Sequence, residues 1–299
     1  MSSPAETSTS VAPDGNIAER AFEDRAFEAA WADWHAAHER HRADPHGFLA
    51  VTHLHWLDTV PARLDGAPGT WSAENNVVRL VLGPGERVLR DGQELNPDET
   101  GATVVLGPIA ERDGLTLRVE DAGAGHTVIE VAKRGGRHVV RPRHPLNPLL
   151  TAYRGTPVYA PCGEYSVPGI FVPFAEPRPM TVGAAVEGIQ HVYEAPGELR
   201  FRLHGQDLAL TAFNGHVPGT LSVLFTDATS GRTTYAANRS LTVAAPGPGG
   251  RVTLDFNRAV NLPCAYTDLA TCPLPPAENR LPVAIEAGEQ IPYERQDAS

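Results

Sequence analysis

The sequence predicts a mostly β protein: an N-terminal amphipathic helix, then a β-meander or sandwich, then a C-terminal antiparallel β-barrel. Three observations carry this expectation. Short runs rich in Val, Leu, Ile and Thr recur roughly every 10 residues, separated by Gly-containing turns. Of 299 residues, 28 are Gly and 27 are Pro, which favours many turns over long helices. Only one stretch, Ile17 to Arg42, has extended helical periodicity.

Residues 1–15 are rich in Ser, Thr, Pro and Ala and read as a disordered tail. They lack the basic start and apolar centre of a secretory signal. Residues 16–57 hold the helix and an apolar connecting segment. Ile17, Ala21, Phe22, Phe27, Ala30, Trp31 and Trp34 form its apolar stripe, with Phe22, Phe27, Trp31 and Trp34 expected to pack on the β body. Asp44-Pro45 stops the helix, because the residue before proline resists helical angles. Gly47 to Leu57 suits either a strand or a short buried helix.

Residues 58–140 read as the first β subdomain, with strands at Val77–Leu82, Thr103–Leu106, Leu115–Val119, Thr127–Ala132 and His138–Val140. Residues 141–163 contain Arg-Pro-Arg-His-Pro-Leu-Asn-Pro and read as a connector, since prolines interrupt a central strand. Residues 164–299 read as the barrel. Its strands are expected at Tyr165–Phe174, Gln190–Glu194, Glu198–His204, Asp207–Phe213, Thr220–Thr226, Thr233–Ala236, Ser240–Val243 and Val252–Phe256. The proline-rich loop 261–282 is long for a plain connection, and such loops are commonly functional.

Acidic residues number 36 against 25 basic ones, a net charge of −11. No Lys/Arg-rich block is present, which argues against nucleic acid or an anionic membrane as partner. No run reaches the roughly 18 apolar residues of a spanning helix. The absent signal and the three cysteines together point to a reducing cytoplasm. No Walker A loop, dinucleotide fingerprint or nucleophile elbow occurs, so no cofactor is expected.

The richest chemistry lies near the C-terminus: Asp255-Phe256-Asn257, then Asn261-Leu262-Pro263-Cys264-Ala265-Tyr266, Cys272-Pro273-Leu274-Pro275-Pro276, Asn279-Arg280-Leu281-Pro282-Val283 and Ala287-Gly288-Glu289. This run resembles the C-terminal signature of a widespread bacterial family defined only as a domain of unknown function. Upstream, Phe225 to Arg239 and the Gly47 to Leu57 segment are similar to further family stretches, extending the resemblance over about Phe48 to Glu289. Leu262 stands where the family commonly has a second proline. The resemblance implies no activity.

Two readings of these polar residues stay open. Asn and Asp side chains pin loops by bonding backbone groups. Alternatively they line a pocket for a small, anionic organic molecule. Arg239 would then anchor the anion, Tyr235 would donate, and Asn257, Asn261, Tyr266 and Asn279 would complete the binding residues. Asp255 would be a general base, if desolvated. Asp255 and Asn257 share one side of a strand. His53 and His55 also share a parity and form a second candidate catalytic pair. Cys264 is a candidate nucleophile that needs a histidine brought to it in space. Any enzyme here would be a cofactor-independent hydrolase or lyase using acid/base chemistry. Cys264 and Cys272 lack the paired spacing of a zinc site, and His35, His38 and His41 sit among charged residues, so no metal is expected. The competing reading is a non-catalytic interaction module, its β-meander meeting a protein partner. A dimer remains open.

Overall fold

A computed structural model describes residues 14–111, 113–121 and 125–296. Residues 1–13 and the side chains of Ile17, Ala21 and Phe22 lie outside the described residues. The chain is mostly β. Helix α1 (Asp14–Arg42) precedes β1 (His55–Trp56), β2 (Ala62–Leu64), β3 (Ala67–Glu74), β4 (Val77–Leu82), β5 (Leu89–Arg90), β6 (Gln93–Glu94), β7 (Ala102–Leu106), β8 (Gly114–Asp121), β9 (Gly125–Arg134) and β10 (Arg137–Arg143). These strands make a four-stranded antiparallel sheet, β2-β3-β4-β7, and a six-stranded one, β1-β10-β9-β8-β5-β6.

Side-chain alternation explains why the two sheets stack. Along β4, Val78, Leu80 and Leu82 are buried while Arg79 and Val81 face outward. Those three meet Trp71 and Leu106 of their own sheet and Leu117, Ile129, Val131 and Val140 of the other. Each such side chain contributes about 1.5–3 kcal/mol by leaving water.

The second half contains α2 (Pro148–Thr151), β11 (Ser166–Gly183), β12 (Gln190–Leu203), β13 (Gln206–Asn214), β14 (Leu221–Phe225), β15 (Arg239–Val243), β16 (Arg251–Asp255) and α3 (Tyr293–Gln296). Its antiparallel sheet, β15-β14-β13-β12-β11-β16, curls into a half-barrel. Leu199, Leu210, Val223, Leu241, Leu254 and Phe256 fill the concave side. Past β16 the chain turns through Phe256–Arg258, and Val260 exchanges two backbone hydrogen bonds with Ser240 on the opposite edge strand. The exit of the last strand thereby covers the edge of β15.

Several elements differ from expectation: β2, β3, β5 and β6 have no counterpart among the expected strands, and β11 runs past the expected Phe174 to Gly183. The strand expected to end at Val140 runs on to Arg143, through Pro142. Pro142 is tolerated because its carbonyl accepts from Thr52, so its missing N–H faces that side and not the β9 ladder. The strands expected at Gln190–Glu194 and Glu198–His204 are one continuous β12. Thr233–Ala236 is no strand; the Thr229 carbonyl gathers the amides of Arg232, Thr233 and Thr234 into a tight turn. The ambiguous Gly47 to Leu57 stretch holds a short 3-10 turn, Phe48–Ala50, followed by β1.

Helix α1 docks along a mixed stripe. Phe27, Trp31 and Trp34 are half-buried, whereas Ala30 is exposed. Trp31 donates to the Asn257 carbonyl at 2.8 Å, and the Arg258 guanidinium lies over the Trp34 ring. Further along, the stripe turns polar, through His35, His38, Glu39 and Arg42. Among the described residues no helix is long and apolar enough to cross a membrane.

Candidate functional site

Strand register brings a set of charges together. Glu130 on β9 lies directly opposite Arg141 on β10, and Val128 opposite Arg143. Period-two alternation puts Glu130, Arg134, Arg141 and Arg143 on one face of the sheet. The other face gives Ile129, Val131 and Val140 to the sandwich core. The charged face is covered by the loop that follows β16. Between them lies a cavity of about 330 Å³, walled by Arg134, Arg141 and Arg143 on one side and by residues 262–263, 267 and 269–273 on the other. His191 and Tyr193, near the start of β12, close a third side, and Phe48 and Val51 add apolar surface.

The loop is fastened by backbone bonds to the half-barrel. Leu274 donates to Gly183, Ala185 donates to Cys272, and the Asn238 side chain donates to Pro273. His191 Nε2 lies 3.0 Å from the Thr271 carbonyl. A carbonyl only accepts, so Nε2 carries the proton. Nδ1 of this buried ring has no hydrogen-bond partner among the described residues.

Three guanidinium groups share one carboxylate. Arg141 donates to Glu130 Oε1 at 2.5 Å, Arg143 donates to Oε2, and Arg134 reaches Oε1 at 3.4 Å. Burial pushes the Glu130 carboxyl up, but Arg141 and Arg143 outweigh it and hold it below the ordinary range. Burial and the neighbouring Arg141 charge lower the Arg134 pKa. The buried Nε atoms of Arg141 and Arg143 have no hydrogen-bond partner among the described residues. Buried donors of this kind normally find one.

A larger groove, about 690 Å³, runs beside β11 and β16. Its lining is mostly apolar, around Gly169, Ile170, Ala244 and Val252, with Arg200 and Arg251 at its walls. Arg200 is engaged by Glu198. Size favours this groove, but convergent polar groups mark the smaller cavity.

A second buried polar cluster surrounds Glu289, which is 1 % exposed. Its Oε1 lies 2.7 Å from Arg42 and 3.4 Å from His38, both on α1. Its Oε2 accepts from the Asn261 amide at 2.6 Å. Burial raises the carboxyl pKa, but His38, Arg42 and that amide bring it below the ordinary value. Tyr266 lies 2.7 Å from Thr156 Oγ1 and donates to Glu289 at 3.5 Å. Burial, with the Glu289 charge, pushes the Tyr266 phenol far up. The adjacent Gly288 has φ +75°, and a Cβ there would sit 2.5 Å from the Ala259 carbonyl oxygen.

The residues selected from sequence are distributed as follows. Arg239, 1 % exposed, pairs with Asp227 at 2.7 Å and donates to the Ala287, Ile285 and Glu289 carbonyls. Its Nε is buried with no hydrogen-bond partner among the described residues. Asp255 accepts from the Asn257 amide and side chain and pairs with Arg258. Asn257 also brackets the Cys162 backbone, donating to its carbonyl and accepting from its amide. Asn279 clamps Thr211 and Leu224. Asn261 Nδ2 donates to Gln290. Tyr235 donates to the Cys264 carbonyl, and burial raises its pKa to about 12. His53 and His55 do point together, their ring centroids 5.4 Å apart, with His55 Nε2 bonded to the Asp65 carbonyl. None of Asp255, Arg239, Tyr235, Asn257, His53 or His55 lines the 330 Å³ cavity, whereas the loop and Cys272 do. Cys264 is buried next to Cys272.

Sequence reasoning passed over Arg141, Arg143, Glu130 and His191. A signal existed: Arg141-Pro142-Arg143 continues the alternation of Val139-Val140, but the prolines diverted it into a connector.

The structure is a mostly β protein with an arginine-lined cavity between the β9–β10 face and the loop that follows β16. The family described as "Protein of unknown function (DUF1684)" matches residues 151–290, and the chain belongs to it. That match holds the Asp255 to Glu289 signature and does not reach the Phe48 end of the resemblance. Arg134, Arg141 and Arg143 also lie outside it. An uncharacterized protein of Haloarcula marismortui, solved by solution NMR, is 30 % identical over 47 % of this chain and 78 % of that one, with a TM-score of 0.40. No curated protein matches the chain.

Proposed function

We propose that this chain binds a small anionic organic molecule in the cavity between the β9–β10 face and the loop 262–273. The observation that carries the reading is the three-to-one excess of guanidinium over carboxylate, with two buried Nε donors left without partners. Arginine forks suit carboxylate or phosphate oxygens. The volume fits a molecule near the small end of the ligand range. Phe48, Val51, Leu262 and Leu269 would meet its apolar part, and the His191 Nδ1 lone pair would accept from a hydroxyl.

In this reading the long loop keeps the role read from sequence, as one wall of a pocket. The anion anchor moves from Arg239 to Arg141 and Arg143. Arg239, Asn257 and Asn279 would hold the walls in place.

Calorimetric titration of the full chain with inorganic phosphate, citrate and short aliphatic carboxylates tests this. At least one probe should bind saturably. Arg143→Gln should weaken it about 10-fold or more, since a charge-assisted hydrogen bond is worth about 1.5–3 kcal/mol. Binding should also weaken as salt rises. If a folded Arg143→Gln protein keeps full affinity, or no probe binds below about 10 mM, where binding is worth under ~3 kcal/mol, the reading fails.

A further inference from the structure

We propose that Cys264 and Cys272 form a redox-active dithiol that a small hydroperoxide converts into an intramolecular disulfide. This goes beyond anion binding and does not require it. The two thiols are buried side by side, and the Cys264 amide donates to the Cys272 sulfur at 3.3 Å. The sulfurs themselves are hydrogen-bonded. A disulfide requires the two sulfurs to come to about 2.05 Å. Cys272 lines the 330 Å³ cavity, and Cys264 packs beside it with Ala270, Tyr235 and Leu262.

The surroundings distinguish the two sulfurs. The hydrogen bond from the Cys272 thiol favours the Cys264 thiolate, as does the nearby Arg295 guanidinium. The Cys272 thiol is held protonated by its bond to Cys264 and by burial. Arg295 also braces the segment, donating to the Cys264 and Ala265 carbonyls.

The chemistry balances without a further reductant. The Cys264 thiolate attacks one peroxide oxygen; the S–O bond forms, O–O breaks, and the leaving hydroxide takes a proton to become water. Cys272 sulfur then attacks the sulfenic sulfur; S–S forms, S–O breaks, and the departing hydroxide takes the Cys272 proton. Two thiols and one hydrogen peroxide give one disulfide and two waters. The crosslink would close the loop whose residues 267 and 269–272 wall the cavity.

The test treats the full chain with hydrogen peroxide, blocks residual thiols after unfolding, and maps peptides by mass. Exposed Cys162 serves as the internal comparison. The expected result is loss of two hydrogens, located to a Cys264–Cys272 crosslink and reversed by dithiothreitol. A Cys272→Ser chain should hold a dimedone-trappable sulfenic acid at Cys264. The proposal is overturned if Cys162 oxidises while Cys264 and Cys272 remain free thiols. It is also overturned if the unpaired sulfenic acid forms at Cys272 in a Cys264→Ser chain. Should the serine variants not fold, the crosslink map of the unaltered chain decides by itself.

Discussion

Replacing Arg239 by Met tests how the half-barrel is held to its C-terminal signature. Arg239 is buried and faces Asp227, whose side chain is fully buried. Asp227 Oδ1 is already taken by the Thr229 amide and hydroxyl and by the Ile285 amide; Oδ2 faces the guanidinium. Met fills much of the volume but leaves Oδ2 as an uncompensated buried charge. Breaking one side of such a pair costs about 3–5 kcal/mol. The Ile285 and Ala287 carbonyls lose their guanidinium donor as well, which pushes the loss towards the upper end. Domain stabilities are typically about 5–15 kcal/mol, so the variant should sit near the edge of folding. Urea unfolding followed by far-ultraviolet circular dichroism measures this, with the slope checked for constancy. Adding Asp227→Asn should recover part of the loss, because an amide retains the Oδ1 contacts without the charge. A loss under about 1 kcal/mol, or strict additivity within about 0.5 kcal/mol, would refute the reasoning.

Two further outcomes use the same assay. Gly288→Ala should cost at least about 1–2 kcal/mol, since it combines a left-handed φ of +75° with a Cβ contact of 2.5 Å to the Ala259 carbonyl oxygen; an unchanged midpoint would show that the turn relaxes freely. For acid, both Glu130 and Glu289 have folded pKa values below the ordinary 4.5. Their contribution is complete above the ordinary carboxylate range and is lost as pH falls through the lower folded values. The urea midpoint should therefore fall steadily below about pH 4.5, and Glu130→Gln should make that fall shallower; a fall equally steep in the variant would exclude Glu130 as a source.

The sequence by itself determined the fold class. Alternation such as Val78-Arg79-Leu80-Val81-Leu82 needs only a strand with one buried face, and Gly-containing turns punctuate the strands locally. The Asp255 to Glu289 run was equally legible as a segment of unusual chemistry, because its residues are contiguous. Which charges meet was not legible. Glu130 faces Arg141 through ladder register, and Arg42 and His38 reach Glu289 only because α1 docks across the half-barrel exit. Periodicity states that a side chain points away from its own core; it carries no information about which other surface will cover that face. Arg141 and Arg143 therefore read as a polar connector in one dimension. They become the floor of a cavity only when the loop after β16 is laid over them, because that packing is fixed by contacts between segments far apart in the chain.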